Sequence, residues 1–330
     1  MARLGLTTAC GRYDRVWPLL DGRVHPEGLD LNMVTLDPEE CFWRMIRFAE
    51  FDVSELSLAS YAMLRARGDT RFIAIPVFLS RSFRHSSIYV RPGAGIGSPK
   101  DLEGRHVGVP EYQMTAAVWA RGILRDEFSV DTNRIVWRTG GLEQPGRTER
   151  QPLDTPSWVT VEPIASDQTL CGALDAGELD AIVAPRIPSS FRGGDPGITR
   201  LFPDYAEREL DYYQRTGLFP IMHLVAIRSD VYEQHPWVAQ SLYKAFSEAK
   251  RMALSGLTDA PALRYTMPFL LDALERQERV FGADPWPYGV EQNRATLEVF
   301  CRYLAEQGLV PAAPDVDSLF ADSTLAGARI

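Results

Sequence analysis

Short runs of apolar residues at strand spacing alternate with runs at helical spacing along the first two-thirds of the chain. Leu4 to Thr8 and Leu29 to Leu36 read as strands. Pro38-Glu39-Glu40 opens a helix that carries Phe42, Trp43, Met45, Ile46 and Phe48. Acidic residues in a first turn suit the helix macrodipole. Phe51 to Ser57 reads as a strand running into a helix at Leu58 to Arg67, and Phe72 to Phe78 as a strand interrupted by Pro76. This alternation predicts an α/β sheet with mainly parallel strands.

A second set follows the turn residues Arg91-Pro92-Gly93-Ala94-Gly95. Ser98 to Gly104 reads as a capped single turn and His106 to Pro110 as a strand. A helix opens over Glu111 to Thr115 and runs to about Phe128, and Ile135 to Trp137 is the next strand. Gly140 to Pro156 is polar, rich in Gly and Pro and aperiodic, so it is expected as a long loop, and loops of that length are often functional. Val159 to Ile164, a helix around Leu170 to Ala176, and Ala181 to Val183 complete a second βαβ set. Phe219 to Ile227 reads as a strand returning to the first set. Helical spacing then dominates over Tyr232 to Leu254, Leu263 to Val280 and Val290 to Leu304, with a stiff Asp284 to Gly289 loop. The reading is a discontinuous first lobe, 1–90 plus 219–330 with a helical C-terminal segment, and a second lobe, 91–218. Thin crossings near 91 and 218 would let the lobes close on a ligand. Strand ends from both lobes would face the cleft between them.

Composition narrows the function. The 330 residues are 45% hydrophobic and 24% charged, an ordinary globular balance. The net charge of −9 argues against a nucleic-acid surface. No apolar run approaches bilayer-spanning length, and no signal-peptide pattern opens the chain, so the expected address is the cytosol. Cys10, Cys41, Cys171 and Cys301 lie far apart, without C-x-x-C or metal-like spacing. A small anionic ligand remains compatible, because a local arginine cluster matters more than net charge.

Two segments concentrate such groups. Leu4 to Arg15 is a strand that stops at Gly11 and presents Arg12, Tyr13 and Asp14. Phe83 to Val90 presents Arg84 and His85 before a β-branched and aromatic stretch. Guanidinium, imidazole and phenol at strand ends form a kit for gripping an acidic aromatic compound. The chain resembles the 4,5-dihydroxyphthalate decarboxylase family, built on a type II periplasmic-binding-protein-like fold. The resemblance rests on T-T-A-C-G-R-Y-D (Thr7 to Asp14), F-D-V-S-E-L-S-L-A-S-Y (Phe51 to Tyr61) and F-R-H-S-S-I-Y-V (Phe83 to Val90). It also rests on V-G-V-P-E-Y-Q-M-T-A-A-V-W (Val107 to Trp119), G-G-L-E-Q-P-G-R (Gly140 to Arg147) and D-P-W-P-Y-G-V (Asp284 to Val290).

The resemblance implies loss of CO2 from a hydroxylated aromatic dicarboxylate, by protonation of the ring carbon that bears the departing group. A carboxy-lyase of this kind needs no redox cofactor. It does need a carboxylate clamp, partners for the phenols and an acid. Arginine suits the clamp because its planar fork meets a carboxylate bidentately, and histidine suits proton delivery near neutrality. His85 is the first candidate donor, with His223, on the returning strand, and Glu111 as alternatives. Arg12, Arg81, Arg84 and Arg186 are the clamp candidates. Glu55, beside Ser54, is placed to bind phenols or act as a base, and Tyr13 joins it. Tyr112, Gln113 and Thr115 open a helix whose N–H groups can hold an anion. A mixed set of His85, His223, Glu55 and Glu111 leaves a divalent metal open, but no spacing demands one, so the favoured reading has no metal and no cofactor. The expected partner is a small aromatic carboxylate, with no nucleic acid and no membrane, and with a homo-oligomer left open. The alternative from a different class is a non-catalytic solute-binding protein holding a small carboxylate in the same cleft.

Overall fold

The structure is a computed structural model that describes residues 3–192, 198–258, 263 and 265–326. Two sheets organise it. The first contains β1 (Leu4–Cys10), β2 (Leu29–Thr35), β3 (Val53–Ser57), β4 (Phe72–Arg81) and, after a long excursion, β11 (Ile221–Arg228). Its order is β2-β1-β3-β11-β4. β1 pairs in parallel with β2 and β3, whereas β11 runs antiparallel between β3 and β4. The second sheet contains β5 (Ile88–Val90), β6 (His106–Val109), β7 (Val136–Thr139), β8 (Thr160–Pro163), β9 (Ala181–Val183) and β10 (Thr199–Arg200), in the order β10-β5-β9-β6-β7-β8. β6 runs parallel to β7 and β9, and β7 parallel to β8. The mainly parallel expectation therefore holds for the β1–β3 and β6–β9 blocks and fails where β11 and β5 insert antiparallel strands.

β4 runs on past Pro76 to Arg81, but its ladder with β11 is interrupted there: Ile75 pairs with Val225 and Ser80 with His223, so 76–79 bulge out of register. In the sheet order β4 is the end strand, so the proline's missing N–H removes no ladder bond on its free side. That side is partly covered by the C-terminal segment, where Ala321 N–H donates to Ala74 O at 2.8 Å.

The crossing expected near 91 lies earlier. β5 already belongs to the second sheet, so the chain changes lobes over 82–87. The return falls between the helix Tyr205–Thr216, unread in the sequence, and β11. The helix expected over Tyr232 to Leu254 is two helices, Ser229–Gln234 and Trp237–Thr258. Pro236 explains the break, since it bars the helical geometry of His235 and removes a donor. The helix expected from Leu263 begins at Leu270; position 264 lies outside the described residues.

The thin-connection expectation also needs correction. The helix Arg294–Glu306 does not stay with the first lobe but packs on the second-lobe helix Thr115–Phe128. The Trp119 ring meets Phe300 at 5.4 Å and Tyr303 at 5.6 Å between centroids. Gln307, just beyond that helix, accepts from Arg121 Nε at 2.7 Å and donates to Val118 O at 2.9 Å. Trp119 Nε1 donates to Ile221 O at the start of β11. The lobes are thus joined through a buried wedge as well as by the two crossings.

Candidate functional site

Strand ends from both lobes meet in a cleft of about 310 Å³. In the first sheet, Ser57 ends β3, Ser80 lies near the end of β4, and His223 lies near the start of antiparallel β11, in register with both. All three line the cleft. Ligand sites of open α/β sheets sit at this carboxyl edge.

Glu55 supports the row from beneath. It is fully buried, and three donors converge on it: Gly11 N–H on Oε2 at 2.8 Å, and Tyr13 OH and His223 Nδ1 on Oε1 at 2.7 Å each. Burial pushes its carboxyl pKa up, but the hydrogen bond and charge of His223, with the Gly11 and Tyr13 donors, overcome that and hold it below the ordinary value. Against the ionised Glu55 the Nδ1 contact needs its proton on that nitrogen, and Nε2 has no hydrogen-bond partner among the described residues. The Phe42 ring packs against the imidazole at 4.8 Å, nearly perpendicular. Tyr13 reaches Glu55 by folding back over Gly11, where a β-carbon would stand 2.7 Å from the Tyr13 ring. Burial first, then the charge and hydrogen bond of Glu55, raise the Tyr13 pKa, so this group stays a neutral phenol.

The cleft also carries cations. Arg84 lines it from the crossing segment and is mostly buried, yet no carboxylate pairs with its guanidinium among the described residues. Only Nε is engaged, donating to Met222 Sδ at 3.3 Å. Burial lowers its pKa to about 10, with Glu209 opposing, so it remains a cation. Next to it in the lining, Met114, Thr115 and Ala116 form the N-terminus of the helix Thr115–Phe128. The Thr115 side chain is spent on structure: its hydroxyl meets Ser57 Oγ at 2.8 Å and accepts from Ala59 N–H at 3.0 Å. A guanidinium with no carboxylate partner and a helix N-terminus lining one cleft have the chemistry to hold an anion. Arg150 lines the cleft too, held by Glu111 Oε1 at 3.0 Å. Arg186, 61% exposed, lies 3.7 Å from Asp37 and 3.9 Å from Glu39 across the mouth.

Of the residues singled out from sequence, Tyr13, Arg84, Thr115, Arg186 and His223 line this cleft, with Glu55 behind them. The others lie elsewhere. His85 is buried against the rings of Phe128, Phe202 and Tyr212, and is not in the lining. Arg81 donates to the carbonyls of Phe219 and Pro287 and to Asn293 Oδ1, so it ties the C-terminal loop to β4. Arg12 is exposed outside the lining. Ser54 is buried, its hydroxyl against Cys41 Sγ and Glu55 O. Tyr112 OH donates to Gln307 O, and Gln113 Nε2 donates to Glu149 and to Gln151 O. Glu111 is bound by Arg147 and Arg150. Of the four groups considered for a metal, only Glu55 and His223 meet, and among the described residues no set of three or more His, Cys, Asp or Glu side chains could hold a metal ion.

Sequence reasoning missed Ser80, Ser82, Phe42, Met222 and Arg150. A signal existed for the serines. Side chains alternate faces along a strand, so Ser80 and Ser82 share a face that Arg81 does not. Arg150 had none beyond its place in a long loop.

No protein-family model matches the chain. The chain is 42% identical over 330 residues to a 4,5-dihydroxyphthalate decarboxylase of Comamonas testosteroni, covering all of both chains. It is 44% identical over 214 residues to a 4,5-dihydroxyphthalate decarboxylase of Pseudomonas putida, covering 65% of this chain and 83% of that one. Among solved structures it is similar to the periplasmic aliphatic sulphonate binding protein of Escherichia coli, with a TM-score of 0.54 at 14% identity and 99% of each chain covered. A ligand binding component of an ABC-type import system from Staphylococcus aureus gives 0.52 at 13% identity, again covering 99% of each. At such identities the likeness is one of fold, the two-lobed periplasmic-binding-protein architecture. No helix among the described residues is long and apolar enough to cross a membrane.

Proposed function

Since the chain belongs to the 4,5-dihydroxyphthalate decarboxylase family, we propose that it converts 4,5-dihydroxyphthalate to protocatechuate and CO2 in the cleft between its lobes. The observation that carries this reading is the meeting of a buried, unpaired Arg84 with a Glu55-supported His223 in one cleft. The first suits a carboxylate and the second a transferable proton.

The retained carboxylate takes Arg84 and the helix N-terminus at Thr115 and Ala116. A ring hydroxyl para to the departing group pushes electron density onto the carbon that bears it. Protonated His223 adds a proton there from Nε2, while Glu55 keeps Nδ1 occupied and stabilises the positive ring before transfer. The bond to the carboxylate then breaks, its electron pair restores aromaticity, and neutral CO2 leaves. One proton has replaced one CO2, and His223 recovers its proton from solvent. The apolar walls, Phe42, Met114 and Met222, favour the change from a charged carboxylate to neutral CO2. Ser57, Ser80 and Ser82 supply hydroxyls for the substrate's phenols.

The test is turnover of 4,5-dihydroxyphthalate in D2O, with CO2 detection and product NMR. Deuterium is expected at the vacated ring carbon, and extensive dialysis against a chelator should leave the rate intact. His223→Gln should lower kcat by about 10²–10⁴-fold, the usual worth of a general acid. A stable complex with the diacid and no CO2 would favour the solute-binding alternative. A folded His223→Gln protein with normal turnover would remove His223 as donor.

A further inference from the structure

A second cavity, of about 890 Å³, adjoins the cleft and shares Glu39 and Arg150 with it. Its other walls combine an aromatic face with cations. Trp43 is 53% exposed there, and Ile46, Leu64 and Pro152 add apolar surface. Arg47 has no hydrogen-bond or ion-pair partner among the described residues, and Arg67 meets only Gln151 Oε1 and Pro152 O. Arg147 lines this cavity and pairs with both Glu111 and Glu39, the latter shared with the cleft.

We propose that this cavity is a second binding site for an aromatic carboxylate, outside the decarboxylation cleft. The choice of ligand class rests on the proposed function. The physical argument is local. An exposed indole offers a stacking face, and guanidiniums without carboxylate partners offer bidentate sites for an anion. Of the three wall acids, Glu39 and Glu111 are paired with Arg147 and Arg150, and Glu149 is spent on the Tyr112 N–H and Gln113 Nε2 donors. A chain with an overall charge of −9 thereby gathers a dianion next to the place where it reacts.

The probe is benzene-1,2-dicarboxylate, which lacks the hydroxyls needed for decarboxylation, titrated into the full chain by calorimetry. Two binding events per chain are expected. Trp43→Ala with Arg47→Ala should weaken one event by about tenfold or more, as loss of a charge-assisted contact and a stacking face requires, while kcat for CO2 release stays unchanged. Arg84→Ala should weaken the other event. Arg47→Glu provides a second variant at an exposed position that does not disturb packing. A single wild-type event abolished by Arg84→Ala, or two events indifferent to Trp43→Ala, Arg47→Ala and Arg47→Glu, would overturn the second site. CO2 release by the same wild-type sample separates the two readings. Turnover with one binding event sinks only the second site, and two events without turnover sink only the proposed reaction.

Discussion

Replacing Glu55 by glutamine probes the centre of the site with little change of shape. Three donors reach the native carboxylate, Gly11 N–H on one oxygen and Tyr13 OH with His223 Nδ1 on the other. A carboxamide keeps one oxygen and turns the other position into a donor. If the NH2 faces Gly11, two donors oppose each other across a 2.8 Å gap. If it faces Tyr13 and His223, the tyrosine must turn to accept and the imidazole must carry its proton on Nε2 instead. Either arrangement forfeits at least one hydrogen bond to a charged group, about 1.5–3 kcal/mol. If that loss falls on the protonated imidazole, kcat drops by roughly tenfold to 150-fold, at about 1.4 kcal/mol per factor of ten. KM should change little, because Arg84 and the helix N-terminus are untouched. The assay is CO2 release at saturating substrate, with circular dichroism to verify the fold. A folded Glu55→Gln protein with wild-type kcat would refute the reasoning that Glu55 holds His223 ready to donate. The same variant carries a pH signature. The folded Glu55 pKa lies below its ordinary 4.5, so on acidification the unfolded chain takes up this proton first. Its contribution to stability is complete above pH 4.5 and is lost as pH falls below that through the folded value. The stability gap between wild type and Glu55→Gln, measured by urea unfolding, should therefore narrow below pH 4.5.

Arg84→Ala should raise KM by roughly tenfold to a hundredfold, since it deletes the unpaired cation of the cleft; an unchanged KM would take Arg84 out of the clamp. His85→Leu should turn over near the wild-type rate, and collapse of turnover in a folded variant would return the donor role to His85. Burial, with Arg208 and Arg215 nearby, lowers the His85 pKa from 6.5 to about 4, so the unfolded chain binds this proton first between those values. Wild type should lose stability as pH falls from 6.5 towards 4, and urea unfolding should find that loss reduced in His85→Leu. Gly122→Ala would set a β-carbon 2.1 Å from the Tyr303 ring, inside the wedge that joins the lobes. A cost of about 1–3 kcal/mol is expected, read as a lower midpoint in thermal unfolding, and an unshifted midpoint would mean the wedge yields freely.

What the sequence determined by itself is local and periodic. Alternation of strand and helix spacing follows from backbone geometry, so β1 to β4 and β6 to β9 were legible where the chain forms them. Strand ends followed by glycine or by a helix start were legible as ligand positions, which is how Tyr13, Glu55, Thr115, Arg186 and His223 came forward. The resemblance in motifs such as Thr7 to Asp14 marked the family.

Only tertiary structure decided which groups point into one space. Arg81 and Arg84 look alike in sequence, yet strand alternation and the C-terminal loop give Arg81 three partners, while Arg84 faces the cleft with no carboxylate partner among the described residues. His85 and His223 look equally apt, but the ring packing of Phe128, Phe202 and Tyr212 closes around one, while the pairing of β11 with β3 sets the other beside Glu55. Arg147 and Arg150 lie in an aperiodic loop, and no local pattern connects them to Glu111, some 40 residues away. The helix Arg294–Glu306 shows the same limit at the level of lobes. Its amphipathic spacing announces a buried face, but only the shapes of Trp119, Gly122, Phe300 and Tyr303 determine that it is buried against the second lobe. Spacing along a chain specifies a face; the partner for that face comes from contacts between residues far apart in sequence, which a single chain's periodicity does not encode.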